Sequence, residues 1–140
     1  MKVLFHIRNS EWLGTESLMA VLRREGHEVD LAFDCGAGDQ DIRIPGIHRL
    51  LGVERTLRHK VRSFQPDLIA SCVLTNTWQA AKETYRLFRQ ESPAPIIVGG
   101  PHATAAPEEI LSHEEVRAVC IGEGENALRE FCSRMERGEL

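Results

Sequence analysis

The chain has 140 residues, of which 42% are hydrophobic and 27% charged, and its formal net charge is −4. This length and composition predict one globular domain with a single core and exclude a disordered or fibrous chain. The basic residues are scattered through the predicted helices, which disfavours a nucleic-acid binder. No apolar run approaches the ~20 residues that span a bilayer, so we expect no membrane association and a cytoplasmic protein.

The first half of the sequence predicts two strands and two helices. Lys2–Ile7 is a short apolar run typical of a strand, and the helix that follows ends before Gly26. Glu28–Phe33 alternates with period two and predicts a second strand, after which residues 34–46 show no periodicity and predict a long loop. Pro66 ends the second helix. The apolar faces of these helices are Leu18, Val21 and Leu22, and Val53, Leu57, Val61 and Phe64.

The second half continues the alternation of strands and helices. Asp67–Val73 is an unbroken apolar run, which predicts a central strand covered on both faces. Two further strands are predicted at Pro95–Val98 and Ala118–Ile121, with a short helix beginning at Pro107 between them. The apolar faces of the two longer helices are Trp78, Ala81, Tyr85 and Phe88, and Ala127 or Leu128 with Phe131 and Met135.

Five strands alternating with helices predict a doubly wound α/β fold, flavodoxin-like or Rossmann-like, with a parallel sheet of order 2-1-3-4-5 and helices on both faces. Ligands of such sheets bind outside the carboxyl ends of the strands. Four loops therefore form the candidate site, at residues 8–14, 71–77, 99–107 and 122–126. The four cysteines, which are too widely spaced for a zinc or iron–sulphur motif, are interpreted as buried free thiols: Cys35, Cys72, Cys120 and Cys132.

Each candidate loop has a structural interpretation beside a functional one. Gly99-Gly100 forms either a tight turn or, because it has no side chains, a space for a flat ligand. Gly122–Glu125 forms either the ordinary start of a helix or a second space that its glycines leave free for the ligand. His102 is either a ligand-facing acid or base or a solvated loop histidine. Polar side chains after the third strand serve as helix caps or ligand contacts, namely Ser71, Thr75, Asn76 and Thr77.

Four segments of the chain resemble a known family, the cobalamin-binding domain at the N-terminus of class B radical SAM enzymes. They are residues 13–29, 66–71, Ile97-Val-Gly-Gly-Pro-His-Ala-Thr104 and Ile121-Gly-Glu-Gly-Glu-Asn126, of which the last pair is the most specific. In the wider fold the first loop carries Asp-x-His-x-x-Gly, whose histidine ligates cobalt. Glu11 replaces that histidine here, so the resemblance implies base-off cobalamin without a histidine lower ligand, with Trp12 or Leu13 facing the cobalt.

The resemblance also implies a role for each loop. Ser71 and Val73 line the tunnel for the dimethylbenzimidazole tail, and Gly99 and Gly100 let the tail lie against the fourth strand. Gly122 and Glu123, at the exit of the fifth strand, close the far side of this tunnel. The implied set contains no catalytic residue and no metal ligand and consists of Asn9, Glu11, Trp12, Leu13, Gly14, Ser71, Val73, Thr75, Asn76, Gly99, Gly100, Pro101, His102, Gly122, Glu123 and Gly124. Of these, Thr75, Asn76, Pro101 and His102 are expected near the corrin ring or its amides.

The resemblance implies a corrinoid that carries a methyl group from S-adenosylmethionine to a substrate radical, or assists a ring-forming reaction. Since Cys-x-x-x-Cys-x-x-Cys is absent from the sequence, S-adenosylmethionine and the 4Fe-4S cluster belong to a further domain or a partner. We therefore expect residues 1–140 to be one cobalamin-binding module, not catalytic alone and the N-terminal part of a larger enzyme. Two alternatives stay open: the N-terminal half of a sugar-nucleotide glycosyltransferase, and a non-catalytic flavodoxin-like interaction domain.

Overall fold

The protein is described here by a computed structural model, which covers residues 1–9, 13–36 and 52–140. The strands of these residues are β1 Lys2–Arg8, β2 Glu28–Asp34, β3 Leu68–Cys72, β4 Ile96–Gly99 and β5 Val116–Val119. The helices are α1 Leu13–Arg24, α2 Val53–Phe64, α3 Trp78–Glu91, α4 Pro101–Ala105, α5 Pro107–Leu111 and α6 Glu125–Glu136. None of the helices in these ranges is long and apolar enough to cross a membrane.

Within the described ranges the strands form one parallel sheet of order β2-β1-β3-β4-β5. The predicted fold class and strand order are therefore confirmed. β3 is the middle strand, with Val3 of β1 opposite Leu68 and Val98 of β4 opposite Ser71. The order reverses between β1 and β3, and this reversal is where ligands of doubly wound sheets bind.

Helices cover both faces of the sheet, and each face has its own core. On one face α2 and α3 pack on alternate strand residues, including Leu4 and Ile69. On the other face α1 and α6 pack on the intervening residues, including Phe5 and Ala70. Because β3 is covered on both sides, its sequence is apolar without alternation. The predicted apolar faces of α2 and α3 are confirmed, since Leu57, Val61, Phe64, Trp78, Ala81, Tyr85 and Phe88 are all buried.

The structure differs from the sequence prediction at several boundaries. Helix α1 begins at Leu13, inside the segment predicted as a loop, and Asp34 ends β2 instead of opening the long loop, whose residues 37–46 lie outside the described ranges. β5 runs two residues earlier than predicted, and after it the chain turns at Gly122, where φ is +76°, with Ile121 61% exposed. The segment predicted as a loop after β4 contains helix α4.

Candidate functional site

A pocket of about 210 Å³ opens at the carboxyl edge of the sheet. Its floor comes from β1, β3 and β4, and its sides come from α1, α6 and the loop after β5. The residues that line it are Phe5, Gly14, Thr15, Leu18, Ala70, Ser71, Cys72, Ile97, Gly99, Gly100, Pro101, Cys120, Gly122, Glu123, Gly124, Glu125 and Leu128. All four predicted loop positions therefore contribute to one concave site.

The structure brings half of the predicted site residues together in this pocket. They are Gly14, Ser71, Gly99, Gly100, Pro101, Gly122, Glu123 and Gly124. Six others lie elsewhere: Asn9, Leu13, Val73, Thr75, Asn76 and His102. Glu11 and Trp12 lie outside the described residues.

The six residues outside the pocket wall have defined environments. Leu13 is 85% exposed at the first turn of α1, next to the pocket residue Gly14. Val73 is buried in the core under α3, and Thr75 and Asn76 are exposed in the turn before α3. Asn9 adopts a left-handed φ of 72°, and its carboxamide occupies the space over Gly36, at the exit of β2.

Adjacent residues of β3 face opposite sides of the sheet. Ala70 packs with the α1 and α6 residues, and Cys72 lines the pocket. The Ser71 hydroxyl lies on the α3 side, where it accepts a 2.7 Å hydrogen bond from Tyr85 Oη and lies 2.8 Å from His6 Nδ1. The direction of the hydrogen bond between Ser71 and His6 follows the tautomer of the imidazole. Burial lowers the pKa of His6 to about 4, which keeps the ring neutral in this network.

Two adjacent glycines shape the β4 side of the pocket in different ways. Gly100 has a φ of +98°, and a Cβ there would lie 2.8 Å from Cys72 Sγ and 2.9 Å from the Val73 carbonyl oxygen, so only glycine fits. A Cβ at Gly99 would meet Cys120 Cβ at an ordinary 3.6 Å. Across the pocket, a Cβ at Gly124 would approach Leu18 Cδ2 to 3.2 Å. Glycine at 100 thus allows the start of α4 to pack closely on the end of β3, and the absence of side chains at Gly99 and Gly124 leaves space in the pocket.

Residues of helix α4 connect the pocket loops to one another through hydrogen bonds. The His102 backbone N–H donates to the Val73 carbonyl at 3.2 Å, and its Nδ1 lies 3.2 Å from Thr75 Oγ1. Thr104 Oγ1 accepts a 3.0 Å hydrogen bond from the Gly122 N–H. His102 is 6% exposed and its ring lies 5.7 Å from that of Trp78, so the expectation of a solvated loop histidine is wrong. A short helix places the ring in the core.

The polar groups of the pocket wall are few. Glu123 is exposed at the mouth, and Glu125 accepts a 3.1 Å hydrogen bond from Ser17 Oγ, which links α6 to α1. Burial raises the pKa of the Cys72 thiol and that of the Cys120 thiol, so both stay protonated at neutral pH. No lysine or arginine occurs among the described residues of the wall.

Nine residues of the pocket wall are not in the predicted set, and all of them except Glu125 are apolar or small. They are Phe5, Thr15, Leu18, Ala70, Cys72, Ile97, Cys120, Glu125 and Leu128. Several of them lie on strands, where alternation could have found them. Side chains of a strand point alternately to the two faces of the sheet, and Phe5, Ala70 and Ile97 all lie on the face covered by α1 and α6. In α1, Thr15 and Leu18 are three positions apart and share one helix face.

Comparison with protein families relates the chain to a cofactor-binding domain. A family model described as the B12 binding domain matches residues 9–132. The chain is also similar to the anaerobic magnesium-protoporphyrin IX monomethyl ester cyclase of Cereibacter sphaeroides, with 31% identity over 74 residues. That match covers 51% of this chain and 12% of the cyclase.

Solved structures share the fold. The radical S-adenosylmethionine methyltransferase TsrM from Kitasatospora setae, with cobalamin and a 4Fe-4S cluster bound, aligns with a TM-score of 0.77 and 18% identity over 99% of this chain and 25% of TsrM. The cobalamin-dependent S-adenosylmethionine radical enzyme OxsB, with aqua-cobalamin and S-adenosylmethionine bound, aligns with a TM-score of 0.72 and 22% identity over 99% of this chain and 19% of OxsB. The chain thus spans a quarter or less of the length of each of these proteins.

Proposed function

Because the chain belongs to the B12-binding domain family, we propose that its pocket receives the dimethylbenzimidazole tail of base-off cobalamin and that the module serves a radical SAM catalytic domain. The observation that carries this proposal is the pocket at the carboxyl edge of the sheet, bounded by Gly99 and Gly124. The proposal includes the absence of a histidine lower ligand, since the sequence has Glu11 at the position of that histidine.

The residues of the pocket fit an aromatic ring system. An apolar cavity of about 150 Å³ holds benzene, and the 210 Å³ pocket has room for a larger, bicyclic ring. Phe5, Ile97 and Leu128 supply apolar contacts on the floor and one side. Most of the surface that a ring would cover here is apolar, so its burial is driven mainly by the hydrophobic effect.

The rim of the pocket offers a place for the corrin macrocycle. Leu13 is 85% exposed and Ile121 is 61% exposed, and each directly precedes a glycine of the pocket wall. We propose that these two side chains, with the exposed Thr75 and Asn76, contact the ring or its amides. When bound, the corrinoid supplies methyl-transfer chemistry or assists a related reaction. The protein residues bind the tail, exclude water from it and hold the macrocycle at the sheet edge.

The catalytic partner is part of the proposal. The chain lacks a Cys-x-x-x-Cys-x-x-Cys motif, which would hold the 4Fe-4S cluster of a radical SAM enzyme. The similar proteins are four to eight times as long as the matched part of this chain. We propose that S-adenosylmethionine and the cluster are bound by a further domain or by a separate protein.

The alternative of a sugar-nucleotide glycosyltransferase has less support. A nucleotide diphosphate requires cationic or strongly donating groups, whereas the described wall contains Glu123 and Glu125 and neither lysine nor arginine. The described wall therefore offers a diphosphate no cationic side chain.

An absorbance titration tests the proposal. Purified protein is titrated with hydroxocobalamin, and gel filtration then shows whether the colour co-elutes with protein. We expect stoichiometric co-elution and a base-off spectrum. A bound cofactor with a base-on spectrum would contradict tail insertion, and no co-elution would contradict the whole proposal. Titration with a labelled nucleotide sugar in parallel distinguishes the glycosyltransferase alternative.

A further inference from the structure

Thr15 places on the pocket wall a buried hydroxyl that has no strong hydrogen-bond partner among the described residues. It lies in the first turn of α1, is 4% exposed and lines the pocket. Among the described residues, no oxygen or nitrogen atom lies in hydrogen-bonding geometry with its Oγ1. Its one polar neighbour is the Cys72 thiol, a weak hydrogen-bonding group: burial raises the pKa of that thiol, and the contact with Thr15 acts in the opposite direction. An unpaired buried hydroxyl costs free energy, so a ligand atom that pairs with it gains affinity.

The surroundings of Thr15 restrict what that ligand atom can be. Leu18 and Ala70 line the same pocket and offer no polar group, and the two glutamates belong to the more open β5–α6 side. Cys72 provides a thiol, which is a weak donor. Among the described side chains of α1 and β3 that line the pocket, Thr15 therefore offers an entering ring the one strong hydrogen-bonding group that is not already engaged, because the Ser71 hydroxyl pairs with Tyr85 and His6. A bicyclic ring with one unprotonated nitrogen pairs with it, because the hydroxyl can donate to that nitrogen.

We infer that Thr15 selects the lower base of the cobamide by donating a hydrogen bond to a ring nitrogen. This inference rests on the proposed function, because it requires the base to enter the pocket. It assigns the ligand class more narrowly: cobamides with a nitrogen heterocycle as lower base bind in preference to cobamides with a phenolic base. A phenolic base has no ring nitrogen, so it leaves the hydroxyl unpaired.

The test compares two ligands across matched variants. Thr15→Val removes the hydroxyl and nearly preserves the shape of the side chain. Thr84→Val makes the same change in α3, where the Thr84 hydroxyl donates to the Ala80 carbonyl away from the pocket. Dissociation constants are measured by absorbance titration for hydroxocobalamin, for p-cresolylcobamide and for cobinamide, which lacks a base. The cost of opening the cobalt–nitrogen bond of cobalamin is the same for every variant and cancels in the comparison.

We expect Thr15→Val to weaken cobalamin binding about tenfold, which corresponds to about 1.4 kcal/mol, and to change p-cresolylcobamide binding less than twofold. Thr84→Val should change neither ligand. Thr15→Ser keeps the hydroxyl and should keep the preference, and Thr15→Ala replaces Thr15→Val if the valine variant does not fold. Equal effects on both cobamides, or no effect, would overturn the role of Thr15 alone. If p-cresolylcobamide, which like cobinamide has no cobalt–nitrogen bond to open, binds wild type no more tightly than cobinamide, or if no corrinoid binds, the proposed function itself fails.

Discussion

Replacement of Gly99 by leucine should close the pocket and leave the domain folded. Gly99 lies at the end of β4 with an extended backbone, and its Cβ would meet Cys120 at 3.6 Å, so the first carbon fits without strain. A water molecule occupies about 30 Å³ of liquid, and a methyl group is similar in size. The four carbons of leucine therefore remove roughly 120 Å³, more than half of the 210 Å³ available.

The remaining space is smaller than the cavity of about 150 Å³ that holds benzene, so we expect hydroxocobalamin to lose its base-off spectrum and its co-elution with Gly99→Leu. Urea denaturation should give a free energy of unfolding within about 1 kcal/mol of wild type, because a glycine inside a strand is itself unfavourable by about that amount. Gly99→Ala is the matched control and should bind normally. Retained base-off binding by a stably folded Gly99→Leu variant would refute this placement of the tail.

Three further outcomes are expected. Cobalamin should slow maleimide labelling of Cys120, which lines the pocket, and leave labelling of Cys35 unchanged, since Cys35 is exposed and the prediction that it is buried is wrong. Mass spectrometry of the labelled peptides measures both rates, and equal protection of the two cysteines would contradict this binding place. Gly100→Ala should lower the free energy of unfolding by about 2 kcal/mol or more, because of its positive φ and the close contacts of its Cβ, whereas Gly99→Ala should not; equal urea midpoints would contradict this. Stability should fall as pH drops from 6.5 towards 4, because in that range the unfolded chain protonates His6 and the folded chain, in which burial lowers the pKa of His6 to about 4, does not. The slope is at most about 1.4 kcal/mol per pH unit from this group, and urea denaturation of His6→Gln should show a shallower dependence; an unchanged slope would contradict the assignment.

The fold could be predicted because its determinants are local and repeated. The apolar spacing in α2 and α3 predicts their buried faces, and the unbroken apolar run of β3 predicts its central place. Helix α4 was not predicted because it has five residues, too few for a periodic pattern, and its first turn lacks the acidic residues that mark the start of the equally short α5. The start of α1 was missed because Leu13 and Gly14, at its first turn, do not continue the apolar face.

The candidate site could be predicted to the level of loops and less well to the level of side chains. The glycines after β4 and β5 line the pocket as expected, since the carboxyl ends of parallel strands meet at one edge. The direction of side chains on β3 depends on register, and a shift of one residue exchanges the two faces. Because β3 is apolar on both faces, its sequence does not show which side chains face the pocket. Cys72 was therefore not identified as a pocket residue. Thr15 was missed because a sequence does not show which buried hydroxyls lack a strong hydrogen-bond partner.

Because side chains alternate between the two faces of β3, neighbouring positions of this strand should differ in how well they tolerate mutation. Ser71 belongs to a buried polar network with Tyr85 and His6, where loss of one member leaves the others unpaired inside the protein. Ala70 and Cys72, its immediate neighbours, border open space and can change in volume with little demand on that network. Substitutions at alternate positions of this strand can therefore change the shape of the ligand cavity, while the residues on the opposite face keep their packing.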